Sequence, residues 1–213
     1  MPKSRLAPTN SITEMWDKRY GSDLAVYGLE PNTFLAAMAG MLPKSGRALL
    51  PGDGQGRNGI WLAQQGLHPL SIDMSSVAIA QTEEAAARQG VRLDTQIGNF
   101  LEIDLEEGAF SCVAPIFFHV PSAVRQSAHG RMAKALAPGG LLILEAFAIG
   151  HLPLRDTHGS GGPGTNDMLY SADILRQDFG ALQCLYLEEL EIVLREGSLH
   201  DGLSRTVRAV FAK

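Results

Sequence analysis

The chain has 213 residues, 45% of them hydrophobic, and a formal net charge of −5. That length suits one α/β domain with a substantial core and leaves no room for two, while an acidic balance without a basic stripe argues against a protein that grips nucleic acid by charge. Cys112 and Cys184 stand in strand-like apolar runs without CxxC spacing, which disfavours a disulfide framework or zinc cluster and reads as two buried thiols in a reducing compartment.

Met1 to Asn10 carries Lys3 and Arg5 but no apolar stretch, and no run approaches the roughly 18 apolar residues that span a bilayer, so a cytoplasmic protein off the membrane is expected. Ser11-Ile12-Thr13-Glu14 has the form of a capping box opening a helix with Trp16 and Tyr20. A second helix is predicted from Pro31, bearing Phe34, Leu35, Met38 and Met41 on its apolar side and ending before Pro43. From Gly46 the pattern alternates: strand Ala48–Leu50, helix Asn58–Gln65, strand Leu70–Ile72, helix Ser76–Gln89, strands Leu93–Ile97 and Ser111–Phe117, helix Ser122–Leu136, strand Leu141–Phe147. Strands separated by helices of this length imply βαβ crossovers and a parallel sheet. Pro115 is unusual in a central strand and fits only if that strand is ending there. Residues 148–170 lose periodicity and are rich in glycine, so a structureless loop acting as a mobile lid is expected. Leu182–Leu194 and Leu199–Ala212 flank the turn Glu196-Gly197-Ser198 and form a hairpin. One domain, 1–213, thus divides into a helical cover at 1–45, a cofactor-binding sheet at 46–147, the loop at 148–170, and a helix with a terminal hairpin at 171–213.

The most informative segment is a strand that passes through Gly52, Gly54 and Gly56 into a helix. Glycines there let a ligand lie against the main chain, and the helix start presents free N–H groups. Asp73 falls at the tip of the next strand, where a carboxylate can accept both hydroxyls of a ribose, so a nucleoside-containing cofactor is expected. Gly54, Gly56 and Gly59 also satisfy the dinucleotide pattern G-x-G-x-x-G, which keeps an NAD(P)-dependent oxidoreductase as the second reading. Against it stand the alternating glycines, the terminal hairpin and the lack of room for a substrate domain. A non-catalytic domain that senses a nucleoside cofactor is the third.

These residues resemble class I S-adenosylmethionine-dependent methyltransferases, and among them the tellurite-resistance and thiopurine methyltransferase-like group. The resemblance rests on Trp16-Asp17-Lys18-Arg19-Tyr20 with Tyr27-Gly28, on Gly54-Gln55-Gly56-Arg57-Asn58, on Ile72-Asp73-Met74-Ser75, on Phe118-His119-Val120-Pro121, and on Leu136-Ala137-Pro138-Gly139-Gly140. It implies a Rossmann-like α/β fold: a seven-stranded, mostly parallel sheet with an antiparallel last strand and helices on both faces. It further implies S-adenosyl-L-methionine as cofactor, with Gly52, Gly54 and Gly56 along its methionine part, Asp73 on the ribose, and Met74 on one face of adenine. Asn99 and Phe100 would border the other edge, the backbone near Ile116 would meet the amino group, and Trp16 with Tyr20 would close over the whole. Two departures stand out. Leu50 replaces the usual acid before the loop, leaving Asp53 as the nearest carboxylate, and Asn99 stands where the family has Asp.

Methyl transfer needs alignment and exclusion of water more than a dedicated acid or base. His119, after the fourth strand, is the leading ionisable candidate, as a base or as a residue that bonds a backbone carbonyl and shapes its loop. Arg125, Glu145 and His151 are substrate-side candidates, each with an ordinary alternative as a surface or paired group. No histidine spacing suggests a metal site. The expected acceptor is a small molecule, with the resemblance pointing to a thiol or a selenium or tellurium oxyanion. The expected assembly is a monomer or homodimer.

Overall fold

A computed structural model describes residues 9–22 and 25–213; the expectations for Lys3 and Arg5 fall outside them. The sheet has seven strands in the order β3-β2-β1-β4-β5-β7-β6. They are β1 (Arg47–Pro51), β2 (His68–Asp73), β3 (Asp94–Ile97), β4 (Phe110–Val113), β5 (Leu136–Phe147), β6 (Gln183–Arg195) and β7 (Asp201–Ala212). All run in one direction except β7, which is antiparallel to β5 and to β6. The helices are α1 (Thr9–Tyr20), α2 (Thr33–Ala37), α3 (Arg57–Gln64), α4 (Ser76–Gln89), α5 (Ser122–Ala135), α6 (His151–His158) and α7 (Ala172–Asp178). This is the class I methyltransferase fold, as the resemblance implied.

Because side chains alternate across a strand, the central strand feeds two cores. Leu49 packs with Phe110, Met132 and Leu142 on one face, and Ala48 and Leu50 pack with Phe34, Leu35 and Leu62 on the other. Leu50, fully buried, is therefore a core residue.

Several local expectations are corrected. The first helix already begins at Thr9, so Ser11 lies inside it and not at its N-cap. The second starts after Asn32, whose side chain accepts from Leu35 N, and gives way to a 3-10 turn at Ala39–Met41, leaving Met41 exposed. Strand β4 stops at Val113, beyond which only an isolated bridge joins Ile116 to Glu145, consistent with the donor that Pro115 lacks. Cys112 is buried but Cys184 is exposed on β6.

The largest correction concerns residues 148–170, which are not structureless. They hold α6 and a 3-10 turn at Asn166–Met168, bury His151, Ser160, Leu169 and Tyr170, and close on themselves through an Ala148–Tyr170 bridge. Gly161 shows why the segment is rich in glycine: at φ +79° a Cβ there would stand 1.9 Å from the Leu199 carbonyl oxygen. Glycine in this segment permits close packing against the hairpin.

Candidate cofactor and acceptor site

Ligands in open α/β sheets bind outside the carboxyl ends of the strands, and here three loops converge there, after β1, β2 and β4. In the β1 loop Gly52, Gly54 and Gly56 all adopt left-handed φ, at 64°, 59° and 79°. Added Cβ atoms would collide with the Phe118 ring at Gly52, the Tyr20 hydroxyl at Gly54 and the Thr82 methyl at Gly56. The loop is thus held by tight contacts that only glycine permits.

Asp73 closes this loop from the next strand. Its Oδ2 accepts from Gly54 N at 2.9 Å and its Oδ1 from Ser75 N at 2.9 Å, while Ser75 Oγ itself caps α4 by accepting from Ala78 N. The acid therefore does not serve as the helix cap. Burial raises its pKa, against the lowering effect of those amides. Asp53 points another way: its Oδ2 accepts from Ser71 Oγ at 2.6 Å and from Gly59 N at 3.2 Å. Its Oδ1 is sealed from solvent without a partner, although the residue as a whole is half-buried, and burial pushes the carboxyl up to about 7.

Helix α1 supplies the cover. Trp16 stacks on Tyr20 with ring centroids 5.7 Å apart, and Asp17 Oδ1 accepts from Ser75 Oγ at 2.6 Å, which docks α1 onto the start of α4. Met74 is half-buried beside Asp73. Asn99 engages its own turn, accepting from Leu101 N and donating to Glu102, and Phe100 turns inward against Phe118 at 5.5 Å. Ile116 lies at the tip of the sheet, where Phe117 N donates to Glu145 O at 2.7 Å. The structure thus brings the glycine loop, Asp73, Trp16 and Tyr20 together, and places Asn99 and Phe100 at the margin.

The ionisable candidates are held in other work. His119 Nδ1 lies 2.7 Å from Met168 O and its Nε2 accepts from Phe147 N at 3.1 Å, so both ring nitrogens are used by backbone and the ring is a fixed neutral tautomer. Burial pushes its pKa down to about 4, and the two backbone bonds suit the loop-shaping alternative. Arg125 bonds Asp178 at 2.7 Å, as does His129 at 2.8 Å. Glu145, fully buried, accepts from Arg208 at 2.7 Å and from Asn32 at 2.6 Å. His151 is buried between Gly161 O and Arg205 N. Each of these three is engaged in the ordinary pairing that was its alternative.

Other residues that sequence reasoning missed line the same region. Glu196 accepts from Asn32, from Thr33 N and from Arg57, joining the hairpin turn to the N-terminal segment and to the start of α3. Tyr170 donates to Phe118 O and accepts from Val120 N, both at 3.2 Å, and so fixes the loop after β4. His200 packs among Tyr27, Phe117 and Phe147, with centroids 4.5, 4.4 and 5.2 Å away. Phe117 is the one positive-φ non-glycine residue among those described. In the sequence His200 looks like a solvated turn residue, and nothing in its spacing reveals its burial.

A backbone cradle that side chains cannot fill, an acid beside it and an aromatic cover fit the adenosyl and amino-acid parts of S-adenosylmethionine. Residues 49–140 match the family model of a methyltransferase domain. No curated protein sequence matches the chain significantly. Solved structures do. A protein involved in converting a disulfide bond into a thioacetal group during echinomycin biosynthesis aligns with TM-score 0.75 at 18% identity over 95% of this chain and 91% of its own. TehB from Haemophilus influenzae aligns with TM-score 0.70 at 15% identity over 94% of this chain and 66% of its own. A SAM-dependent methyltransferase from Methanosarcina mazei aligns with TM-score 0.64 at 18% identity over 87% and 99%. At these identities the likeness establishes the fold. The match to a methyltransferase domain favours methyl transfer over the oxidoreductase reading.

Proposed function

We propose that this S-adenosylmethionine-dependent methyltransferase methylates a small, uncharged, largely apolar thiol. The observation that carries this reading is the state of the cations near the strand tips: Arg57 is paired with Glu196, Arg208 with Glu145 and Arg125 with Asp178, while Arg19 lies over the Trp16 ring and donates to the Tyr27 hydroxyl. An oxyanion needs unpaired cations or clustered free N–H donors, whereas aromatic rings such as Tyr27, Phe117 and Phe147 suit an apolar acceptor. A thiol also needs the least help to ionise, because its ordinary pKa of about 8.5 lies far below that of an alcohol. The echinomycin neighbour acts on sulfur, which agrees with this reading by analogy of fold alone.

When bound, the cofactor supplies a methyl group made electrophilic by its sulfonium. In this reading Gly52, Gly54 and Gly56 let it lie on the backbone, Asp73 orients the ribose, and Met74, Asn99, Phe100 and Ile116 border it. Trp16 and Tyr20 exclude water above it, and His119 and Tyr170 keep the loop after β4 in place. The likeness to TehB makes the tellurite-resistance group the competing assignment, with an oxyanion as its acceptor. Incubation with deuteromethyl cofactor and either phenylmethanethiol or tellurite, read by mass spectrometry, decides between them. A labelled thioether is expected; methylated tellurium without thioether would overturn the proposal.

A further inference from the structure

Among the described residues eight buried side-chain atoms lack a hydrogen-bond partner, Asp53 Oδ1 at the glycine loop among them, and one of the eight is a histidine nitrogen set among aromatic rings. His200 is 5% exposed, and its Nδ1 is sealed from solvent with no hydrogen-bond partner. Leaving such a nitrogen unpaired costs about 1–3 kcal/mol, so an orphan of this kind calls for an explanation. Its position offers one. The ring spans three segments that meet at the tips of the sheet: the N-terminal segment through Tyr27, the loop after β4 through Phe117, and the end of β5 through Phe147. Behind it lies Gly161, where an added Cβ would come within 3.4 Å of His200 Cδ2, so the ring is backed on the side away from Nδ1. Phe117, in contact with it, holds a left-handed φ of 51°, a strain that clusters at functional sites.

We infer that His200 is the acceptor-facing residue of this enzyme, its Nδ1 receiving the hydrogen bond of the acceptor's S–H and then its proton. The inference rests on the thiol reading above. In the step, the S–H bond breaks and its electron pair stays on the acceptor sulfur, which forms the new bond to the methyl carbon. The bond from that carbon to the donor sulfur breaks, with its pair left on the donor. The proton goes to Nδ1, where it stays until the products leave and water reaches the ring. The charges that face the ring are Arg57 from α3, Arg19 from α1, and the rings of His119 and His151; after burial itself, these all lower its basicity. Glu196, paired with Arg57 and bonded through its own N–H to His200 O, is the carboxylate that stands against them. An added positive charge on a bound sulfonium would keep the ring neutral before transfer, and loss of that charge makes protonation easier as the reaction proceeds.

The test uses two acceptors, phenylmethanethiol and the far more acidic 4-nitrothiophenol, and the variant His200→Asn, whose Oδ1 can occupy the place of Nδ1 and accept a hydrogen bond but not a proton. The variant should lose about 10²-fold in kcat/KM with phenylmethanethiol and less than about threefold with 4-nitrothiophenol, which arrives ionised. Independently of turnover, the ¹⁵N resonance of His200 Nδ1 in protein loaded with S-adenosylhomocysteine should move when phenylmethanethiol is added. Equal losses with both thiols, no loss with either, or an unmoved resonance would overturn the inference. Parent enzyme that methylates neither thiol would instead remove the reading on which it rests. Should His200→Asn fail to bind S-adenosylhomocysteine, the resonance of the parent protein alone decides.

Discussion

The two halves of the site are built by different means. On the side of β1, β2 and α3 the cradle is main chain: three glycines with positive φ, and an acid bonded to the amides of Gly54 and Ser75. On the side of β4, β5 and β7 it is side chain: Arg125 with Asp178, Glu145 with Arg208 and Asn32, and Glu196 with Arg57, most of them buried and from distant parts of the chain. A backbone cradle tolerates change in the residues around it but not in its own spacing. A side-chain wall is the reverse, since any one partner removed leaves a charge buried alone.

The largest test of that contrast falls on the second half. Asp178 has no exposed side-chain area and serves both Arg125 and His129; burial works against its charged form, but their hydrogen bonds outweigh it and hold the carboxyl below its ordinary value. Asp178→Ala should cost about 3–5 kcal/mol of stability in denaturant unfolding. Affinity for S-adenosylhomocysteine should be unchanged where the protein is folded, and a parallel loss would merge the two halves into one unit.

A somewhat smaller effect is expected under the glycine loop. The Asp53 carboxyl titrates near 7 when folded and at 3.8 as its ordinary value, so between these the folded chain holds a proton that the unfolded chain has lost. Its contribution to stability therefore falls as pH rises from about 4 to about 7. His119 acts in the opposite sense, since its folded value near 4 against an ordinary 6.5 makes stability rise with pH over that interval. Comparing Asp53→Asn with the parent cancels the histidine. The variant should gain on the parent by at most about 4 kcal/mol between pH 4 and pH 8, measured as paired unfolding curves. A difference that stays flat with pH would show that Asp53 is not sealed.

Asp73→Ala should weaken S-adenosylhomocysteine binding by about 1.5–3 kcal/mol in calorimetry. Unchanged affinity would remove Asp73 from the cofactor side. The smallest effect belongs to His119→Gln, which should lower stability by about 1–2 kcal/mol through its lost backbone bonds while kcat stays within about threefold. A loss of 10²-fold or more would restore it as a base.

The same contrast explains how far the sequence could be read. Gly52, Gly54, Gly56 and Asp73 are legible because backbone geometry leaves a local mark, glycine where φ must be positive and an acid at a strand tip. The alternation of strands and helices is legible for the same reason, down to α4 at Ser76–Gln89. Arg125, Glu145 and His151 carry no such mark: a charged residue at a strand end looks alike whether it faces a substrate or a partner far along the chain. Residues 148–170 mislead for another reason, since the glycines that allow Gly161 to press against Leu199 give the same composition as a flexible loop.

Asn32 carries one more consequence, and it concerns the order of assembly. Its side chain meets Glu145 at a sequence separation of 113 and Glu196 at 164, and Arg57 meets Glu196 at 139. Contacts so distant along the chain form late, because the intervening segment must be placed first. As the polypeptide leaves the ribosome, the glycine loop, its acid and α1 can come together once β2 and α4 have emerged, but Asn32 at the far end of the N-terminal cover does not meet Glu196 until the last hairpin is made. The growing chain therefore passes through a stage with a cofactor cradle and no acceptor wall. Only the finished chain can close.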